Sequence, residues 1–272
     1  MLAFMRIKKL LLRRLMVLSV VFVWSLLQTA AAQETNVIAL FGDSITIGEN
    51  NSFPFALRPM RGFGRLGNDG TFPALPGSDK LDTLLDNENR ESIVMNWGRG
   101  GSNSGLDPFN GAERISRELQ FIRANHTADN YYILILYGTN DFGSGISESS
   151  TAFHTLLMID RARSLGFTPV IGTLTPRIGG GNIPSRNSQI VAAANLRGVP
   201  VVDHYSRFIQ DGAGGLNLID IEVFNGVTLR LHPTSEGYDV IAQTWFDEYL
   251  EGQIQADANV IVSPIISLLL DE

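Results

Sequence analysis

The sequence predicts an α/β fold in which a five-stranded parallel sheet has helices on both faces. Apolar runs rich in β-branched residues alternate along the chain with segments of helical periodicity, which is typical of strands buried on both faces. The chain has 272 residues, of which 44% are hydrophobic, so it can bury one large core. It contains no cysteine, so its stability has to come from that core rather than from disulfides.

Each predicted strand is a short apolar run that ends near a glycine or a polar residue. In chain order the strands are NVIALFG at 36–42, SIVMNWG at 92–98, YYILILYG at 131–138, TPVIGTLT at 168–175 and VPVVDHY at 199–205. Apolar side chains that recur every three or four residues predict three helices. Their stripes are Ile115, Leu119 and Ile122 before the third strand, Phe153, Leu156, Leu157 and Ala162 before the fourth, and Ile241, Trp245 and Tyr249 in a last helix from about Ser235 to Glu251.

The N-terminus has the pattern of a secretory signal peptide at residues 1–32. Five basic residues precede the apolar run LMVLSVVFVWSLL, and small residues follow it as far as Ala32. The run from Leu15 to Leu27 is shorter than the roughly 20 residues of a membrane-spanning helix. We therefore expect cleavage near Ala32, a secreted or periplasmic location, and no stable membrane span after cleavage.

Cleavage at this point leaves a strongly acidic domain. The whole chain has 21 basic and 28 acidic residues, and the predicted signal peptide contains five basic residues and no acidic one. The balance after cleavage is therefore 16 basic to 28 acidic residues, a net charge of −12. Such a charge argues against nucleic acid and anionic membrane surfaces as partners.

The predicted domain extends over residues 33–252 and is followed by an apolar tail at 253–272. Between the first two strands it has a Pro/Gly-rich insertion at about 50–80, which is typical of a functional loop or a cover over a site. The tail is too short to span a membrane, so we expect it to pack on the domain or to contact a membrane or partner.

Three consecutive predicted strands end in segments that suit acyl transfer. Ser44 follows the first strand, at the sheet edge where open α/β folds bind ligands, although a serine there can also cap a helix. The glycine-rich segment NWGRGGSNSG after the second strand leaves backbone N–H groups accessible, and Asn140 adds an amide donor after the third. His232 supplies a base. A hydroxyl, a base and oxyanion donors are what acyl transfer requires.

Four of these segments resemble the sequence blocks of the SGNH (GDSL-type) hydrolases. They are GDSIT at 42–46, NWGRGG at 96–101, GTND at 138–141 and HPTSEGY at 232–238, in the family's order. The resemblance spans about 36–251 and implies a three-layer α/β/α sandwich of the flavodoxin-like type. It also implies ester or thioester hydrolysis without a cofactor. Separately, the other histidines show no metal-ligand spacing, so we expect no metal.

The same resemblance implies roles for individual residues. Ser44 becomes the nucleophile and contributes its own backbone N–H to the oxyanion hole. Gly101 contributes a second backbone N–H and Asn140 its side-chain amide. His232 becomes the general base and then the general acid that protonates the leaving alcohol.

One position departs from the family pattern. The family usually has an aspartate three residues before the histidine, and this chain has Leu229, whose side chain cannot orient an imidazole. Amidation of the orienting aspartate in a serine protease lowers kcat about 10⁴-fold. Our first candidate for the group that orients His232 is Glu222 and our second is Asp220, both in the segment LIDIEVFNG, which we predict to be a loop. A backbone carbonyl, such as that of Leu229, is a third candidate.

The sequence thus predicts an exported serine ester hydrolase that acts on a small-molecule, polysaccharide or lipid ester through an acyl-enzyme. Two alternatives use the same fold: a non-hydrolytic carbohydrate-binding module, because of Leu229, and an O-acyltransferase that uses the same serine. Asp43 and Asp141 adjoin the proposed catalytic residues. We interpret them as braces of the strand-end turns rather than as a glycosidase pair.

Overall fold

The computed structural model describes residues 35–48, 80–87, 92–178, 181–210, 213–224 and 227–253. The predicted signal peptide, nearly all of the insertion at 50–80 and the tail beyond 253 lie outside the described residues. Among the helices of the described ranges, none has both the length and the apolar character of a membrane span.

A five-stranded parallel sheet forms the centre of the domain, as the sequence predicts. Its strands stand in the order β2-β1-β3-β4-β5, and every neighbouring pair is parallel. Nearly every side chain of the three central strands is buried, which explains their continuous apolar sequences. The strands are β1 (Asn36–Gly42), β2 (Ser92–Gly98), β3 (Asn130–Leu136), β4 (Thr168–Gly172) and β5 (Val201–Val202).

The fifth strand is shorter than predicted because residues on both sides of it cannot extend the ladder. Pro200 has no N–H to donate to a neighbouring strand. Asp203 begins the next helix, since its carboxylate accepts hydrogen bonds from the backbone N–H and the hydroxyl of Ser206. Only Val201 and Val202 remain in the sheet.

Seven helices in the described ranges flank the sheet. The helices are α1 (Ser44–Ile47), α2 (Lys80–Asn87), α3 (Gly111–Asn125), α4 (Glu148–Ser164), α5 (Ile183–Leu196), α6 (His204–Gln210) and α7 (Ser235–Trp245). Within one group α3 contacts α4 and α4 contacts α5, and within the other α7 contacts both α2 and α6. A π-helical turn, Phe246–Leu250, continues α7, and short 3₁₀ helices cover Thr139–Asp141 and Ala213–Leu218.

The predicted apolar stripes are correct for α3 and α7 and partly wrong for α4, where Ala162 is buried, Leu156 and Leu157 are half-buried and Phe153 is exposed. Ile115, Leu119 and Ile122 are fully buried, as are Ile241 and Trp245. In α4, by contrast, Phe153 is 52% exposed, and the buried face consists of Thr151, Thr155, Met158, Ile159 and Ala162. On this inward face the hydroxyl of Thr151 donates to the buried carboxylate of Asp141.

Most of the segment LIDIEVFNG, from Ile219 to Phe224, is a strand rather than the predicted loop. β6 (Ile219–Phe224) pairs antiparallel with β7 (Val227–Pro233), and together they form a separate two-stranded sheet. The sequence explains this pairing, because the dipeptide Asn225-Gly226 between two segments of alternating apolar and polar residues is a strong hairpin signal. This hairpin matters for function since its second strand contains His232.

Candidate active site

The first strand delivers Ser44 to the carboxyl edge of the sheet. Ser44 is the first residue of α1 and is only 3% exposed. The carboxylate of Asp43 caps this short helix by accepting the N–H of Ile45 at 3.0 Å, which confirms that Asp43 braces the turn. Gly42 is required before it, because a Cβ there would collide with the Thr46 hydroxyl and lie 2.5 Å from a backbone carbonyl oxygen.

The hairpin brings His232 to this serine. Its Nε2 lies 2.8 Å from Oγ of Ser44, and the imidazole is 9% exposed. Two contacts fix the hairpin: Ile178 and Arg230 exchange backbone hydrogen bonds, and the N–H of Thr234 donates to the carbonyl of Leu218. When Nε2 is unprotonated, an imidazole in this position can accept the serine proton.

The second block joins the end of β2 to the serine turn. The amide of Asn96 donates to the carbonyl of Thr46 at 2.6 Å, and its oxygen accepts the N–H of Gly98 at 2.9 Å. The chain then turns at Gly101, which has a φ of +72° and lies at the surface. Only glycine adopts this conformation readily. Because Gly101 is exposed and has no side chain, its backbone is accessible.

Asn140 connects the third block to the same loop. It lies in the 3₁₀ helix after β3 and donates one amide N–H to the carbonyl of Ser102 at 2.9 Å. A carboxamide has two N–H groups, so a second donor is present for a ligand. The structure therefore puts Ser44 and His232 in direct contact and links Asn140 to the residue that follows Gly101.

Asp141 braces the site rather than acting in it. The buried carboxylate accepts hydrogen bonds from the N–H and hydroxyl of Ser104 at 2.8 and 2.6 Å and from the hydroxyl of Thr151, and it pairs with Arg186 at 3.3 Å. Ser104 also contacts Nδ1 of His154 at 2.9 Å, and burial lowers the pKa of that imidazole. These bonds hold the loop after β2 against α4.

The two candidate orienting acids lie at different points of the hairpin. Glu222 pairs in register with Leu229, three residues before His232, and the side chains of both lie outside the described residues. In the β6–β7 ladder Ile219 pairs with Pro233 and Ile221 pairs with Arg230, so the register shifts between these two pairs. Asp220 lies at this shift, and its backbone therefore faces Leu231 and His232. The backbone register therefore brings Asp220 closer to His232.

Sequence reasoning missed the buried polar residues behind the site. Arg114 in α3 and Tyr137 after β3 are 2% and 3% exposed, and they contact each other. A signal was present, because Arg114 and Glu118 are spaced i,i+4 beside the apolar stripe of Ile115 and Leu119. Charged residues at that spacing on an inward face indicate a buried polar network.

A buried serine–histidine contact at the carboxyl edge of a parallel sheet defines a serine hydrolase by its geometry. The model of the GDSL-like lipase/acylhydrolase family matches residues 40–240. The chain therefore belongs to this family and is an ester-hydrolysing serine hydrolase. No match was found among curated proteins.

Several solved structures share the fold of this chain. A lipolytic protein of the G-D-S-L family from Veillonella parvula is 21% identical, with a TM-score of 0.53 over 79% of this chain and 98% of its own. The psychrotrophic esterase EstA from Pseudoalteromonas sp. is 16% identical, with a TM-score of 0.54 over 80% and 98%. Est24, a carbohydrate acetylesterase from Sinorhizobium meliloti, is 15% identical, with a TM-score of 0.50 over 79% and 99%.

Proposed function

We propose that this protein is an exported esterase that forms an acyl-enzyme on Ser44. Oγ attacks the ester carbonyl while His232 takes the hydroxyl proton, and His232 then protonates the leaving alcohol. A water molecule, deprotonated by His232, attacks the acyl-enzyme and releases the acid. The observation that carries the proposal is the 2.8 Å contact between Nε2 of His232 and Oγ of Ser44.

Three donors stabilise the oxyanion in this mechanism. They are the backbone N–H groups of Ser44 and Gly101 and the side-chain amide of Asn140. Ser44 begins a helix, so its N–H is not used in the first helical turn, and Gly101 lies in an open turn with no atom near the position of a Cβ. Fixed donors in a partly buried site stabilise developing negative charge more than water does, because they need no reorganisation.

Asp220 is the acid that we assign to orient His232. Since Nε2 faces Ser44, the orienting group has to act on Nδ1. The ladder irregularity places the backbone of Asp220 opposite Leu231 and His232, whereas Glu222 pairs with Leu229, three residues before His232. In this proposal a carboxylate from the neighbouring strand takes the role of the family's aspartate, whose usual position is occupied by Leu229.

The sequence and the comparisons support an exported enzyme that acts on acyl esters. The basic and apolar pattern of residues 1–32 supports export. EstA is an esterase and Est24 is a carbohydrate acetylesterase, so small esters and acetylated carbohydrates are the first substrate classes to test, with lipid esters third. The acidic balance of residues 33–272 disfavours anionic lipid surfaces.

Hydrolysis of p-nitrophenyl acetate, butyrate and octanoate by the purified protein tests the proposal. We expect turnover of the wild type and a loss of kcat of about 10⁴-fold or more in both Ser44→Ala and His232→Ala. The chain-length profile distinguishes an acetylesterase from a lipase-like enzyme. A folded wild type with no more turnover than Ser44→Ala would contradict the proposal and favour a binding module. Ester formation with an added sugar or alcohol, in preference to hydrolysis, would favour an acyltransferase.

A further inference from the structure

A buried arginine lies behind the ends of the central strands. Arg114 packs over the ring of Phe41, with its Cζ 4.2 Å from the ring centroid, and its Nη1 pairs with Glu118 at 2.5 Å. Both members of this ion pair are buried. A guanidinium has five N–H donors in a fixed plane, so the remaining donors of Arg114 can bind several acceptors at once.

These donors connect three strand ends. Nη2 donates to the carbonyl oxygens of Gly42 at 2.8 Å and of Trp97 at 2.9 Å. Nη2 and Nε also donate to the hydroxyl oxygen of Tyr137, at 2.6 and 3.0 Å. Gly42 ends β1, Trp97 is the penultimate residue of β2, and Tyr137 directly follows β3. One side chain therefore fixes the relative positions of the three segments that lead into the proposed catalytic loops.

The network continues from Tyr137 to Asn140. The Tyr137 hydroxyl lies 2.9 Å from Oγ of Ser102, which in turn donates to the carbonyl of Arg99 at 2.8 Å. Because Oγ of Ser102 donates there, it accepts from Tyr137. Burial raises the pKa of Tyr137 to about 12, so this hydroxyl keeps its proton at neutral pH. The carbonyl of Ser102 accepts the amide of Asn140 at 2.9 Å.

We infer that Arg114 and Tyr137 are positioning residues for the oxyanion hole. Through Ser102 they set the orientation of the Asn140 amide and the path of the loop that carries Gly101. This role rests on the proposed function. The position of an oxyanion donor has to be fixed to within a few tenths of an ångström. A chain of buried hydrogen bonds, in which each group donates to the next, is suited to fixing it.

A double-mutant cycle between Tyr137 and Asn140 tests this inference. With p-nitrophenyl acetate, we expect Tyr137→Phe to lower kcat about tenfold with KM within about twofold, because only transition-state stabilisation is lost. In an Asn140→Ala background the same change should lower kcat less than about twofold, because the group that Tyr137 positions is gone. A merely structural role of Tyr137 would leave the two effects additive.

The control is a tyrosine at the opposite end of the same strand. Tyr131 is buried at the start of β3, and its hydroxyl accepts the N–H of Ala128 at 3.0 Å and donates to the carbonyl of His126 at 2.6 Å. Tyr131→Phe removes a comparable buried hydroxyl, so we expect a similar loss of stability with unchanged kcat. If both substitutions lower kcat equally, the inference is overturned.

Two further variants keep the test decisive. Ser102→Ala removes the hydroxyl that Tyr137 contacts but keeps the carbonyl that Asn140 contacts, so it should reproduce the tenfold loss and the same coupling. Arg114→Lys keeps the charge but lacks the planar fork of five donors that reaches Glu118, Gly42, Trp97 and Tyr137 together, and we expect kcat to fall on the order of 100-fold. Additive effects of Tyr137→Phe and Ser102→Ala with Asn140→Ala would overturn the inference while leaving the esterase proposal intact. Full activity of Ser44→Ala would reject the proposed function itself.

Discussion

Oγ of Ser44 and Nε2 of His232 lie 2.8 Å apart, although 188 residues separate them in the chain. Ser44 is held at the end of a buried strand by a helix cap, and His232 by a hairpin that pairs with the segment after β4. Neither side chain has to move far for the proton transfer that starts ester cleavage. The proposed activation of Ser44 therefore needs no rearrangement of the two side chains, and its efficiency depends on the groups around them.

Loss of the Asn140 amide should slow catalysis without weakening substrate binding. We expect Asn140→Ala to lower kcat by about 10²- to 10³-fold with little change in KM, because one oxyanion donor is removed. Steady-state kinetics with p-nitrophenyl acetate measures this. Asn125→Ala is the matched control, since Asn125 is exposed at the end of α3 and its amide donates to the carbonyl of Phe121. A change of less than twofold in Asn140→Ala would exclude the amide from the oxyanion hole.

Amidation of Asp220 should reduce activity far more than amidation of Glu222. We expect Asp220→Asn to lower kcat by about 10²- to 10⁴-fold, because the imidazole loses the carboxylate that selects its tautomer. Glu222→Gln, made in parallel, should retain kcat within about threefold. The opposite order would assign the orienting role to Glu222. If neither change matters, a backbone carbonyl orients His232.

His204 should make the protein less stable in mild acid. It is fully buried against Trp245, and neither ring nitrogen has a hydrogen-bond partner within the described part of the chain. Burial lowers the pKa of His204 to about 3, against a smaller opposing effect of Asp203. The unfolded chain binds a proton at this histidine below about pH 6.5, whereas the folded protein does not until about pH 3.

The sign of the effect follows from this difference in proton binding. The contribution of His204 to the free energy of unfolding is complete above about pH 6.5. It decreases by up to about 1.4 kcal/mol per pH unit as the pH falls towards 3. Urea unfolding at pH 7 and pH 5 measures it. We expect His204→Leu to lose about 2 kcal/mol less stability than the wild type over this interval. Equal losses would show that His204 is not the buried neutral group described.

Gly42 should tolerate no side chain. Gly42→Ala places a Cβ 2.5 Å from the carbonyl oxygen of Leu136 and against the hydroxyl of Thr46, so we expect a loss of about 3 kcal/mol or more in the free energy of unfolding. Gly252→Ala is the control, because no atom lies within 4 Å of the position of its Cβ. Urea denaturation of both variants distinguishes them. Equal stability would contradict the close packing at the serine turn.

The central sheet was predictable because its strands are local apolar runs. The parallel strands that surround the site are buried on both faces, so their sequences carry the pattern directly. The catalytic blocks were predictable for a related reason, since each directly follows a strand or begins a helix. Ser44, Asn140 and His232 thus appear where a short motif coincides with the end of an element.

What the sequence left open depends on contacts between distant segments. The pairing of β6 with β7 brings the backbone of Asp220 closer to His232 than that of Glu222, and no local pattern contains that register. The prediction for α4 was wrong at Phe153, and the contact of its inward-facing Thr151 with Asp141 joins two elements that no local pattern connects. The role of Arg114 could not be predicted locally, since two of its acceptors are carbonyls of Gly42 and Trp97, which are distant in sequence.

Reaction with a fluorophosphonate probe tests the central claim most directly, because the probe labels only an activated hydroxyl and leaves a covalent adduct. Intact-mass and peptide mass spectrometry of the treated protein should show one adduct on Ser44. Ser44→Ala should show none, and His232→Ala should react at least about 100-fold more slowly, because the base is missing. An adduct on another residue, or no adduct on the folded wild type, would contradict the assignment of Ser44 and His232 as the nucleophile and its base.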